Sequence, residues 1–413
     1  MPAVHSTSRD PRCDHLERAP TYQEFLERYL IPNRPVVIGP ALVSSWPAFR
    51  DWILPANKEV LGDKFEHDCC SRIDWDYLAR EYGDCEVTVA DCSTREFSDQ
   101  RRETMRLRDV IALWRNGTGS SLYVKDWHLA REHPHPLFYA TLDIFRDDWM
   151  NAYYAVCTAD DFRFVYAGAA RTFTPLHRDV YASYSWSTNI AGRKRWWLFP
   201  PEQTPLLVRK NGAGETAYDV RCADEREFPG VAQARPVVLE QEEGETIFVP
   251  SGWYHQVENL TECISINHNW CNATNLPALY ASMCAKVTEV ERALEDVREL
   301  LSKHDSTLPS EGGWQREWVH VVQDLVEKDA GWHWATFWRM VLHALRCAVA
   351  PKQAPTSELW APAPPELMPP VNFVKERIKQ CLDDFVKRDQ REVELVPGLN
   401  NVVASINQLL GSG

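Results

Sequence analysis

The chain has 413 residues, 44% of them hydrophobic and 11% aromatic, with 17 tryptophans, enough for one large core and a second smaller unit. Its formal charge of −14 argues against a general nucleic-acid binder, which needs a basic patch, and is compatible with a basic protein substrate. The start MPAVHSTSRDPRCDHLERAP has no apolar run behind a basic end, and no apolar stretch nears the roughly 20 residues of a bilayer span, so neither a secretory leader nor a membrane partner is expected. The 12 cysteines are scattered, with Cys69 beside Cys70 and no CxxC pair, a pattern of reduced thiols that suits the cytoplasm, or the nucleus, better than a disulfide framework or zinc module.

Residues 1–20 are polar and read as a disordered tail. TYQEFLERYL follows as a capped helix that Pro32 breaks, and Pro35-Val36-Val37-Ile38 as a short strand. Trp75, Leu78 and Tyr82 recur at helical spacing in IDWDYLAREYG, after which Val87 and Val89 alternate as in a strand. TMRLRDVIALWRNG predicts an amphipathic helix closed by Asn116-Gly117, and SLYVKDW a strand. His133 and His135 in REHPHPLF lie among prolines and are expected in a structural loop.

Residues 160–270 are a series of short strands punctuated by Gly, Pro and Asn, as in a sandwich or barrel. Within it the polar segment 203–235 reads as an insertion, or a lid near a site mouth. Helical periodicity takes over after NLPALYASM, through WQREWVHVVQDLVEK, WHWATFWRMVLHALRCAVA and VNFVKERIKQCLDDFVKR. A Pro-rich connector precedes the last of these. The expected division is 21–160 as α/β elements completing the core, 160–275 as the β core, and 276–413 as helices. Those helices pack on the core or form a homodimer.

The chemistry concentrates in TPLHRDV and GETIFVPSGWYH. His177 and Asp179 stand one residue apart, which on a strand turns both side chains to one face. His255 ends an apolar strand beyond the turn Pro250-Ser251-Gly252. Two imidazoles and a carboxylate on one side of a metal leave positions open, as non-haem Fe(II) oxygenases require. A structural zinc would want four protein ligands, usually with thiolates.

FVYAGAARTFTPLHRD, WSTNIAGRKRWWLFPP and GETIFVPSGWYHQVENLTECISINHNW together resemble the JmjC family of 2-oxoglutarate-dependent oxygenases. SLYVKDWHL, DDFRFVYAG, SWSTNIAGRK and ISINHNW favour its small JmjC-only lysyl hydroxylase subgroup. The resemblance implies a double-stranded β-helix (jelly-roll) core, mainly β with α elements around it. It also implies Fe(II) on His177, Asp179 and His255, with 2-oxoglutarate and O2 as cosubstrates. Lys194 matches the lysine that pairs with the far carboxylate of 2-oxoglutarate, and Tyr123 and Thr174 match its hydroxyl donors. Asn269 matches the amide facing the keto-acid end, and the family's further asparagine falls on Asn189 or Ser187.

Thr174 is three residues before His177, on the opposite face of an ideal strand, so a twist or bulge near Pro175 is needed. The subgroup implies lysyl hydroxylation of a protein partner, the eukaryotic translation termination (peptide-chain release) factor. N-methyl-lysine demethylation is the alternative, although the chain has no cysteine spacing for zinc-bound reader modules.

Overall fold

The computed structural model describes residues 12–54, 72–212, 214–303, 313–351, 357, 360–388 and 390–411. Cys69, Cys70 and the first eleven residues of the expected tail lie outside them. The chain divides into a β-rich unit (1–142, 162–179 and 184–269) and a helical unit (143–161, 180–183 and 270–413). The boundaries differ from the linear division because two short segments ahead of and within the β core belong with the C-terminal helices.

Among the described residues are fifteen strands, in chain order β1 (Asp14–Leu16), β2 (Val36–Ile38), β3 (Ile53–Leu54), β4 (Arg72–Ile73) and β5 (Glu86–Glu96). The next are β6 (Asp99–Arg106), β7 (Leu122–Trp127), β8 (Arg163–Gly168), β9 (Phe173–Arg178) and β10 (Tyr184–Ala191). The last are β11 (Lys194–Phe199), β12 (Val237–Gln241), β13 (Thr246–Val249), β14 (Tyr254–Asn259) and β15 (Cys263–Trp270). A nine-stranded sheet runs β1-β2-β13-β10-β15-β8-β7-β5-β6, and a four-stranded sheet runs β12-β11-β14-β9. From β8 onward the chain passes back and forth between the two sheets, as in a jelly roll. They remain two sheets, not a closed barrel.

Apolar residues from both sheets meet in one core: Val37, Ile247 and Val249 from the large sheet, Trp196, Leu198, Val237, Leu239 and Val257 from the small one. The period-2 patterns place these inward, which is why the short strands are legible at all. Thr21 caps the first helix through a capping box with Glu24. Asp74 caps Trp75–Tyr82 by accepting from the Tyr77 amide.

Two local expectations change. Asp14–Leu16, inside the expected tail, is a strand paired in parallel with Val36–Ile38. The helix predicted from Thr104 onward begins later, at Leu107, because Thr104, Met105 and Arg106 still pair with β5.

Segment 203–235 is not a lid. Leu207, Ala217, Phe228 and Ala234 pack with Leu176 and Phe199 in a separate cluster on the small sheet, and Leu176 points away from its neighbour His177. The Leu176 amide donates to the Tyr218 carbonyl at 3.0 Å, and the Val220 amide to Gln256 Oε1 at 2.9 Å. The insertion therefore backs the sheet that carries the site.

In the helical unit the tryptophans form an aromatic core of their own. Trp334 and Trp338 lie 4.7 and 5.1 Å from Phe385, ring centre to ring centre, and Tyr280 joins them. Its helices include Leu276–Ala293, Gly313–Ala330, Trp334–Val349 and Val371–Arg388, and also Leu399–Gly411, which the periodicity did not single out. No helix among the described residues is long and apolar enough to cross a membrane. The described cysteines are all free thiols, and His133 Nε2 lies 3.2 Å from one of them, Cys85 Sγ, in the expected structural role.

Candidate metal centre and cosubstrate pocket

His177 and His255 are directly opposite each other on β9 and β14, their rings 4.2 Å apart and tilted by 56°. Asp179 lies just past the end of β9, and its Oδ2 stands 4.0 Å from His255 Nε2. One donor atom from each residue falls within 4.8 Å of the other two. Metal–ligand bonds of about 2 Å bridge such separations, so the three donors fit a single ion.

The rings are held for that purpose. His177 Nδ1 meets the Pro175 carbonyl at 2.9 Å and His255 Nδ1 meets that of Trp253 at 3.3 Å. Each Nδ1 is thereby the donor, which leaves the Nε2 lone pairs for a metal. Burial and the neighbouring His255 pull the His177 pKa down to about 4, so its imidazole is neutral at physiological pH and ready to ligate. Ser185 Oγ donates to Asp179 Oδ2 at 2.7 Å and fixes the carboxylate. Ser185→Ala should weaken Fe(II) binding about 10–100-fold, the usual cost of removing a ligand's hydrogen-bond partner. A metal titration reads this directly, and wild-type affinity would show that Ser185 does not orient Asp179.

Lys194, the first residue of β11, is buried, and its Nζ donates to Ser265 Oγ at 2.7 Å. Ser265 Oγ donates in turn to Asn267 Oδ1 at 2.9 Å, which also accepts from Ser187 Oγ at 3.2 Å. No carboxylate among the described residues pairs with Lys194, and burial pulls its pKa down to about 8. A buried cation with only a hydroxyl partner is costly unless an anion joins it. The far carboxylate of 2-oxoglutarate would satisfy that need.

Thr174 reaches the same interior through the bulge that its spacing demanded. His177 pairs with His255 but Thr174 pairs with Val257, so three steps on β9 match two on β14. The slip turns Thr174 to the face of His177. The Tyr123 hydroxyl lies against the side chains of Thr174 and Asn259, and burial pushes its pKa above the usual phenol range. Gly168 makes room for this ring: a Cβ there would stand 2.6 Å from Tyr123 Cδ2 and 2.7 Å from Thr172 Oγ1. Gly168→Ala should cost about 1–3 kcal/mol of stability in a urea titration, the range for overpacking. An unchanged midpoint would mean that Tyr123 is loosely seated.

Asn269 shares the β15 face of Ser265 and Asn267 by alternation, half-buried at the end of the strand. Asn189 is turned to its own hairpin, donating to the Gly192 carbonyl, whereas Ser187 belongs to the network behind Lys194. All the sequence-predicted residues thus lie on the inward-facing elements of one unit. Ser185, Ser265, Asn267 and Asn259 were missed, although polar residues at i, i+2 in YSWSTN and SINHNW were a signal for an inward polar row.

A family model described as a cupin-like domain matches residues 22–275. The chain is 38% identical over 290 residues to 2-oxoglutarate and iron-dependent oxygenase JMJD4 of Gallus gallus, covering 68% of this chain and 64% of that protein. It is 38% identical over 299 residues to arginine-specific demethylase JMJ20 of Arabidopsis thaliana, covering 68% and 61%. JmjC domain-containing protein 1 of Schizosaccharomyces pombe is 32% identical over 443 residues, with 92% and 93% covered. The chain therefore spans somewhat under two thirds of the chicken and Arabidopsis relatives and nearly all of the yeast one.

Proposed function

Because the chain belongs to the cupin-like JmjC family of 2-oxoglutarate- and iron-dependent oxygenases, we propose that it is a protein lysyl hydroxylase acting on the translation termination (peptide-chain release) factor. The observation that carries the oxygenase reading is the open three-donor face of His177, Asp179 and His255 in one interior with the anion-seeking Lys194. When bound, iron and 2-oxoglutarate supply the oxidation: one atom of O2 enters a substrate C–H bond, the other enters succinate, and CO2 leaves. This chain's residues hold the ligand geometry, orient the cosubstrate and keep water from the interior.

The lysyl and release-factor parts rest on the subgroup phrases SLYVKDWHL and SWSTNIAGRK and on the likeness to JMJD4. The acidic balance adds weak support, since it favours approach of a lysine-bearing loop at low salt. Demethylation is the second reading, favoured by the likeness to JMJ20, whose name describes an arginine-specific demethylase. Release-factor peptides and methylated histone peptides, incubated with protein, Fe(II) and 2-oxoglutarate, separate the two by mass spectrometry. Hydroxylation adds one oxygen to the release-factor peptide. Loss of methyl groups from the histone set, without that addition, would establish the demethylase instead. The cytoplasm is the compartment this reading assigns, and a homodimer through the C-terminal helices its proposed assembly.

A further inference from the structure

Lys125 is a buried cation that the metal and cosubstrate assignments leave unused. It lies on β7 two residues after Tyr123, and the regular pairing of Ala90 with Tyr123 and Thr88 with Lys125 puts both on one face. That face looks into the interior, because Tyr123 lies against Thr174 there. Lys125 is only 3% exposed, and Thr174, against which Tyr123 lies, shares the face of His177. Directly after it, Asp126 takes a φ of 54° and the pairing with β8 slips by one residue. Such a bulge re-aims a side chain toward a site.

The carboxylates beside it are already engaged. Asp126 Oδ1 accepts from the Tyr166 hydroxyl and Oδ2 from Arg102 Nη1, each at 2.5 Å. Asp99 accepts from Arg102 Nε at 2.9 Å and from the Gln100 amide at 2.8 Å. No hydrogen bond or ion pair among the described residues reaches the Lys125 amine. Asp179 is committed to the metal face. The interior therefore offers an entering side chain a strong donor at Lys125 and no free carboxylate near it.

We propose that Lys125 is a specificity-determining residue, which donates to an oxygen of the entering peptide and excludes a cationic nitrogen from the place beside the metal. The inference rests on the oxygenase reading and sharpens its substrate class. In an N-methylated lysine or arginine the reacting carbon is bonded directly to the cationic nitrogen, so the charge must arrive with it. In unmodified lysine the side-chain carbons before Cε stand two or more bonds from the ammonium, which can stay turned away from Lys125. Lys125 thus favours oxidation of a chain carbon over an N-methyl carbon.

The test uses the full chain with Fe(II), 2-oxoglutarate and one release-factor peptide, made with either free or dimethylated lysine. The ratio of demethylated to hydroxylated product should rise about tenfold or more in Lys125→Met, the order expected when a close like charge is removed from an interior. Lys125→Arg should restore the low ratio. A partly unfolded sample lowers both products alike and leaves the ratio unmoved. The second measurement is the affinity for the two peptides with Mn(II) and the inert analogue N-oxalylglycine in place of iron and cosubstrate. The dimethyl peptide should gain on the free one in Lys125→Met by a similar factor. An unchanged ratio, or unchanged relative affinity where turnover is lost, overturns the proposal. Wild-type protein that adds no oxygen to the free-lysine peptide would defeat the hydroxylase reading instead, and the affinity comparison would still decide the role of Lys125.

Discussion

Asp179→Ala should abolish turnover while the protein stays folded. The substitution removes the single carboxylate of the three-donor face and leaves two imidazoles, a set that binds Fe(II) more weakly and supplies no negative charge to it. The loss should reach at least about a thousandfold in rate, equivalent to roughly 4 kcal/mol. Asp179 lies beyond the last paired residue of β9, so no sheet hydrogen bond is lost with it. Its one described hydrogen-bond donor is the Ser185 hydroxyl. The melting temperature should therefore move by only a few degrees. Substantial succinate formation by this variant would remove Asp179 from the metal.

Lys194→Ala should raise the KM for 2-oxoglutarate by tenfold or more. A charge-assisted hydrogen bond of the kind Lys194 can make is worth about 1.5–3 kcal/mol, and the bound carboxylate would be left buried without it. Lys194→Met, closer in volume, separates this effect from the cavity that alanine leaves. The pH dependence has a definite sign. In the cosubstrate-free protein the Lys194 pKa is pulled down to about 8 by burial, whereas a bound dicarboxylate favours the charged form. Binding is thus linked to proton uptake at high pH, and 2-oxoglutarate affinity should fall as pH rises above about 8. Wild-type titration behaviour in both variants would assign the far carboxylate to a different cation.

Much of this site was legible because it rests on strand periodicity. His177 and His255 fall on adjacent paired strands, and Lys194 opens the strand on the other side of β14. The bulge that brings Thr174 inward could be anticipated from its odd spacing, and the pairing with Val257 supplies it. What the sequence hid were tertiary choices. Residues 203–235 read as a polar insertion or a lid near a site mouth, yet Leu207, Ala217 and Phe228 give them a small core against the back of β9 and β11. Asp14–Leu16 is too short and polar to announce itself, and becomes a strand only because β2 offers an open edge. Lys125 and Asp126 stand in the sequence only as part of the strand SLYVKDW. The burial of Lys125, the positive φ at Asp126 and the register slip after it are tertiary features that distinguish it from a surface lysine.

The most direct test of one shared metal and cosubstrate site needs no peptide. Anaerobic titration of the protein with Fe(II) and then 2-oxoglutarate should produce the visible charge-transfer absorption of a chelated 2-oxo acid. It should saturate at equimolar metal and cosubstrate, vanish in Asp179→Ala, and require far more 2-oxoglutarate in Lys194→Ala. A band of wild-type strength and midpoint in both variants would contradict the assignment of His177, Asp179, His255 and Lys194 to that site.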